Sequence, residues 1–334
     1  MEQPHSSPFK TELRALVSTF YQLQRLRIQT GNRICRQFAA QLGQEPGMPE
    51  EELSPDAKNL LADLRAEYDL LADAVIRVSL GAWQKRLLDH SGLIASPYDL
   101  VMVESYVRLE ESEERLAREL GALVAQHPLW TSFLSDVRGV GPILGAVILA
   151  ELDPYRARTV SSFWASAGLD VVLVADEAGT CERDGVRYRG EGRSRRAEHL
   201  VKRTYTNKKG EEAERNSITF NPLLKTKLTG VLGPSFLRAG GRYAGVYRDY
   251  KHRLESRPDI GIAADQAGTP GATKLHRHAM AIRYAVKQFL ADLWTHWRQL
   301  EGLPLTDPYH VAKLGMPPHH GRGEDDEAPE ARLG

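Results

Sequence analysis

Apolar residues recur at helical spacing along most of the chain. Across residues 9–42, Leu13, Leu16, Val17, Phe20, Leu23, Leu26 and Ile28 recur at helical spacing, which predicts a long amphipathic helix with Gly31 as its soft point. Gly43 to Pro49 breaks that pattern. Ser54-Pro55 then supplies an N-cap and a first-turn proline for a second helix running to about residue 90, with Leu60, Leu61, Leu64, Tyr68, Leu71, Ala74, Val75 and Val78 on its buried face. Ser91-Gly92 stops it, and Ser96-Pro97 starts a third helix reaching about residue 126, whose exposed face carries Glu110, Glu111, Glu113, Glu114 and Arg118. Long charged helices of this kind are coiled-coil arms or bundle members. Both carry apolar stripes longer than a compact neighbour needs, so residues 54–126 are expected to form an antiparallel pair that joins a second copy of the chain.

From residue 127 the elements shorten. Leu134 and Val137 close one short helix, and Ile143 opens another with Gly145 and Ala146 on its near face. Between them, Gly139-Val140-Gly141 allows backbone angles that a β-carbon opposes and leaves N–H groups free at the start of the next helix. Such a turn is a seat for a phosphate oxygen. Pro142 suits the first helical turn, where its missing N–H costs nothing, and Arg138 adds a cation. The pattern matches a helix-hairpin-helix, which holds a nucleic-acid backbone without reading bases; the alternative is a tight helix–helix turn packed for structural reasons.

Further along, residues 160–169 form a short helix closed by Gly168. Residues 171–174 and 185–189 look like the two strands of a hairpin turning through 176–179, the only strands expected. Helices follow from Asn221-Pro222 through 237, with Lys225 and Lys227, and over 242–253, with Tyr243, Tyr247 and Tyr250. After a loop over 258–271, a closing helix over 273–300 offers Leu275, Met280, Ile282, Val286, Phe289, Leu290, Leu293 and Trp297 for burial. His276 and His278, two residues apart, fall on different faces of that helix and are a poor metal pair. The fold class expected is mainly α: a helical arm or coiled coil (1–126), then a helix-hairpin-helix-containing helical domain with one small β-hairpin (127–301), and an unfolded tail rich in Pro, His and acid (302–334).

Composition sharpens this in one respect. The chain of 334 residues has 44 Lys and Arg and 44 Asp and Glu, yet residues 183–257 hold 19 of the basic residues against 8 acidic ones. A segregated excess of this kind points to a polyanion. The densest run contains Arg193, Arg195, Arg196, Lys202, Arg203, Lys208 and Lys209, with Tyr188 and Tyr205 available to stack on sugars or bases; its plain alternative is a solvated basic loop. Cys35 and Cys181 stand far apart with no CxxC partner, which fits a reducing cytoplasm. No cationic start followed by an apolar stretch, and no run of eighteen apolar residues, suggests export or a membrane span. No cofactor is indicated, and a divalent metal enters only with a nuclease activity.

At Arg138-Gly139-Val140-Gly141-Pro142, followed by Glu151-Leu152-Asp153 and by residues 163–169 ending in Ala167-Gly168-Leu169, the chain resembles the C-terminal domain of the insertion-sequence 110/116/902 transposase family. In that family a Gly-x-Gly hairpin precedes an acidic helix end and a Phe-containing helix finishing in Ala-Gly-Leu. Gly139 and Gly141 match the hairpin, Gly168-Leu169 the second landmark. The likeness covers residues 133–169 best and continues more weakly through 216–225. The family's N-terminal RNase-H-like domain has acidic residues on strands, whereas Asp63, Asp69 and Asp73 fall on a helix here. Its recombining serine stands in a Ser-Gly context, while Ser194 and Ser217 are not followed by glycine.

The resemblance therefore implies the backbone-binding role. The expectation is a DNA-binding protein of a mobile genetic element, with RNA as an alternative partner and a homo-oligomeric arm. The alternatives are a serine-dependent recombinase using Ser194 or Ser217, which would need a base or strongly oriented cations, and a helical scaffold, against which the basic excess speaks.

Overall fold

The computed structural model describes residues 8–38, 54–73, 92–94, 96–170, 180–183, 186–189, 199–256 and 274–306. The expected helix beyond residue 73, the strand at 171–174 with its turn, the run Arg193–Arg196 with Ser194, the loop over 258–271 and the tail beyond 306 lie outside them. The chain divides into two compact units, Met1–Ala125 and Gln126–Gly334.

The first unit has three helices among its described residues. Helix α1 spans Pro8–Phe38, α2 Ser54–Asp73 and α3 Pro97–Ala125. Gly31, expected as a soft point, is buried inside an unbroken α1. Ile34 and Phe38 of α1, Leu60 and Leu64 of α2, and Ile94, Leu100, Val103, Tyr106 and Val107 at α3 form one apolar cluster. The start of α3 is a capping-box variant: the Ser96 hydroxyl accepts the Asp99 N–H at 3.1 Å and donates to the Asp99 carboxylate at 2.7 Å. Gln37 on α1 donates to the other oxygen of that carboxylate at 2.7 Å, so one acid both caps α3 and ties it to α1.

The acidic row of α3 is less exposed than its sequence suggests. Glu113 is buried, accepting from Arg27 at 2.6 Å and Gln24 at 3.0 Å on α1, and Glu110 pairs with Arg65 on α2. The stripe of α3 is covered by α1 and α2 of the same chain, so burying it requires no second copy.

The second unit is built around its last helix. It contains α4 (Pro128–Ser132), a 3₁₀ turn (Leu134–Asp136), α5 (Pro142–Glu151), α6 (Val160–Ser166), β1 (Thr180–Arg183), β2 (Val186–Arg189), β3 (Leu200–Thr206) and β4 (Glu212–Ile218). Then come α7 (Pro222–Lys225), a π-helical segment (Thr226–Leu232), α8 (Gly233–Ala239), α9 (Arg242–Glu255) and α10 (Lys274–Leu300). Helix α10 buries Ala281, Ile282, Ala285, Val286, Phe289, Leu290, Leu293, Trp294 and Trp297, the i, i+3, i+4 stripe of a helix covered along its length. Helices α4, α6, α8 and α9 and the π segment all pack on it. The Phe289 ring lies 5.5 Å from those of Phe236 and Tyr243 and 6.3 Å from Phe133, so it joins α8, α9 and the turn after α4. Arg298, 4% exposed, donates to the carbonyls of Pro154 (2.6 Å), Ala157 (3.1 Å) and Pro304 (2.8 and 2.9 Å). A buried cation is tolerable only with its donors satisfied, and here they pin the segment before α6 and the chain after α10.

The fold is mainly α, as expected, and β2 falls in the stretch assigned to a strand. Its partner β1 occupies residues 180–183 within the described part. A second antiparallel ladder, β3–β4, lies where the sequence shows only a basic run. Most of both strands is exposed on both faces, so no apolar/polar alternation marks them. What favours extended backbone there is local: Val201, Thr204, Tyr205 and Thr206 prefer strands, and Asn207 and Gly210 build the turn.

Helix α4 offers a check on stability. His127 is its N-cap, with Nδ1 accepting the Leu129 N–H at 3.1 Å, and burial pushes the imidazole pKa down from its ordinary 6.5. Only a ring with a free Nδ1 lone pair can cap. A depressed folded-state pKa means that this stability is complete above pH 6.5 and is lost as pH falls through the folded value. In His127→Asn the amide caps at any pH. The wild-type melting temperature should therefore drop more than that of His127→Asn between pH 7.5 and 5, by the equivalent of about 1 kcal/mol; parallel profiles would show that His127 does not cap.

Candidate nucleic-acid interface

The Gly139-Val140-Gly141 turn divides into an inward and an outward half. Gly139 has φ +97°, open to glycine, and a β-carbon there would stand 3.0 Å from the Ser235 backbone carbon and 3.1 Å from the Phe236 nitrogen. The Ser235 hydroxyl donates to the Gly139 carbonyl at 2.9 Å, fastening the turn to α8. Val140 is buried and spends its N–H on the Val137 carbonyl at 3.0 Å. Both residues are structural. Gly141, the N-cap of α5, is extended (φ −93°, ψ 168°) with open space where a β-carbon would go. The sequence expectation that both glycines need angles closed to other residues thus holds for Gly139 and fails for Gly141. The outward half is Arg138, Gly141 and exposed Pro142, with the first backbone donors of α5 beyond them.

Arg138 and the start of α9, at Gly240-Gly241-Arg242, line a groove of about 290 Å³. Both glycines have positive φ, and the aliphatic stem of Arg138 comes so close to Gly241 that a β-carbon there would stand 3.2 Å from Arg138 Cδ. Arg242 lies 3.0 Å from Asp292, which also accepts from the Tyr243 hydroxyl at 2.8 Å. Burial pushes the Asp292 pKa up, and Arg242 and the Tyr243 hydrogen bond oppose that rise. The carboxylate thus holds Arg242 beside the groove. The acid that lines the groove is the exposed Asp136, which accepts from the Ser135 hydroxyl at 3.3 Å.

The second basic element is the β3–β4 ribbon. Its base is anchored through Leu200, which packs with Cys181 and Tyr188, and through the Lys202 N–H, which donates to the Tyr188 hydroxyl at 3.1 Å. Its tip is fixed by Asn207, whose side-chain carbonyl accepts from Lys209 N–H (2.8 Å) and Glu211 N–H (3.0 Å), while Gly210 takes φ +83°. Lys208 and Lys209 are exposed at this tip. Side chains alternate between faces. One face holds Arg203, Tyr205 and Arg215; the other holds Lys202 with Glu212 and Glu214. Lys202 pairs with Glu214 at 3.4 Å, so the sequence grouping of Lys202 with Arg203 is split across two surfaces. Arg215 and Arg242 carry no mark in the sequence; Arg215 becomes visible as a partner of Arg203 only once the turn is placed at 207–211.

The end of α5 and the end of α6 meet through Asn221. Its amide donates to Glu151 at the end of α5 (2.6 Å), its side-chain carbonyl caps the Leu223 and Leu224 N–H groups of α7, and its backbone N–H reaches Ser166 of α6 (2.9 Å). Gly168 (φ +63°) lies under Phe220, whose ring atoms would stand 2.7 Å from a β-carbon there. Beyond Phe220 a cleft of about 860 Å³ is lined by Lys225, Thr229, His278 and Arg283 among others. Ser217 sits on β4 opposite Val201, and among the described residues no base is hydrogen-bonded to its hydroxyl. His278 Nδ1 is 2.6 Å from the Tyr247 hydroxyl. No group of three His, Cys, Asp or Glu side chains among the described residues could hold a metal ion, and no described helix is long and apolar enough to cross a membrane. No family model, curated protein or solved structure matches the chain.

The two glycines of the turn should separate in stability measurements. Gly139→Ala forces a β-carbon onto the Ser235 backbone at an unfavourable φ and should destabilise by about 1–3 kcal/mol. Gly141→Ala should stay within about 0.5 kcal/mol of wild type. Urea denaturation reads both, and equal losses would contradict the division.

Proposed function

We propose that this chain is a DNA-binding protein related to the transposases it resembles, gripping the phosphate backbone through the outward half of the turn and through the ribbon. The observation that carries this reading is the ribbon face bearing Arg203 and Arg215, which has no acid within the paired strands, beside a tip presenting Lys208 and Lys209 with Glu211 as its one acid. Arg138 and Arg242 at the groove supply a second cationic point, and Arg193, Arg195 and Arg196 precede β3 in sequence. Phosphate contacts position a protein on the duplex, which suits a turn with backbone donors and side chains with mobile charges. For the recombinase alternative, Ser217 has no base bonded to it among the described residues and Ser194 lies outside them, whereas the exposed basic ribbon favours binding. For self-association, Tyr98 and Val101 at the start of α3 are exposed apolar positions in the helical unit.

Binding of a mixed-sequence duplex should weaken steeply with salt. Lys208→Gln/Lys209→Gln should lower affinity evenly across sequences and flatten the slope of log affinity against log salt by about 0.9 for each phosphate that is no longer neutralised. Gly141→Val, folded because its β-carbon meets open space, should also bind every duplex more weakly by obstructing a phosphate at the turn. Absence of salt-dependent duplex binding by the folded wild type would refute the reading.

A further inference from the structure

Arg203 and Arg215 stand directly opposite each other in the β3–β4 ladder. Like charges in that position oppose pairing, and neither residue has an acidic partner among the described residues. On the other face of the same ribbon the charges are matched, with Lys202 paired to Glu214. The guanidinium of Arg215 is braced 5.1 Å from the centre of the Tyr205 ring, and that ring is itself 41% exposed. This is an unneutralised pair of planar donors on one side of a two-stranded strip, one of them braced by a ring. Strands of seven residues make the strip about 23 Å long at roughly 3.3 Å per residue.

We propose that the Arg203–Tyr205–Arg215 face enters the major groove of B-form DNA and reads guanine, each guanidinium donating to O6 and N7, while Lys208 and Lys209 meet flanking phosphates. The major groove of B-DNA, about 12 Å wide, admits a two-stranded ribbon, and Arg to guanine O6 and N7 is the commonest specific contact there. The A-form RNA groove is too narrow for it. This inference rests on the DNA-binding reading above and adds base readout, which backbone contacts at the turn cannot supply.

The test compares a GC-rich DNA duplex with the same duplex in which every guanine is 7-deazaguanine, which lacks the N7 acceptor and keeps Watson–Crick pairing. Full-length wild type should bind the unmodified duplex at least about fivefold more tightly, since a bidentate contact discriminates by roughly 1–3 kcal/mol. Arg203→Gln/Arg215→Gln should bind both duplexes alike. Because this variant relieves the like-charge pair, its ladder should remain formed, as circular dichroism can check. Lys202→Gln/Glu214→Gln, on the opposite face, should keep the wild-type preference. Wild-type indifference to 7-deazaguanine, discrimination that survives in the Arg203/Arg215 variant, or an RNA duplex bound as tightly as the DNA would each overturn the inference while leaving backbone binding intact. A wild type that binds no duplex removes the underlying reading as well.

Discussion

The backbone of Gly139 lies against the backbone at Ser235 and Phe236, and the candidate interface depends on that approach. Any side chain at Gly139 would hold the two segments apart, and the Ser235 hydroxyl closes the contact on the Gly139 carbonyl. Because α8 leads directly through Gly240-Gly241 into α9, fixing the turn to α8 also fixes the start of α9 beside Arg138. The groove between residues 132–138 and the start of α9 is thus a consequence of one close packing contact. It is also the reason that only half of the turn is open to a ligand.

Helix α10 makes this contact durable. Phe289 reaches Phe133 on one side of the groove and Tyr243 of α9 on the other, as well as Phe236 of α8, so both sides of the groove are held by one buried ring. Asp292, one turn further along α10, orients Arg242 from below. The apolar face of α10 and the placement of a surface cation are therefore linked through residues three positions apart. The ribbon has no such support beyond its base at Leu200 and Tyr188, and its order comes from ladder hydrogen bonds and the Asn207 turn. Exposed on both faces, it contributes little to the core, which leaves its side chains free to serve a partner.

Much of the helical architecture was legible because starts are written locally. Ser96-Pro97, Asn221-Pro222 and the stripe of α10 each carry a physical signal that the structure uses. The turn at 139–141 was legible as a turn, but which glycine needs its freedom was not, since that depends on Ser235, almost a hundred residues away. Glu113 looked like one more exposed acid because its partners Arg27 and Gln24 are on another helix. The second ladder was hidden for a different reason: burial alternation is the main sequence sign of a strand, and an exposed ribbon has almost none. Its charge separation appears only when alternation between faces is combined with the register of Arg203 on Arg215.

The central claim is that the turn and the ribbon of the second unit touch the same nucleic acid. Amide hydrogen exchange on the full chain, with and without a saturating DNA duplex, tests it most directly. Slowed exchange at Ile143 and Leu144, at the start of α5, together with residues 203–215, and unchanged exchange over residues 8–38 and 97–125, is the predicted result. Protection confined to the first unit, or absent from both the turn and the ribbon while DNA is bound, would contradict the account.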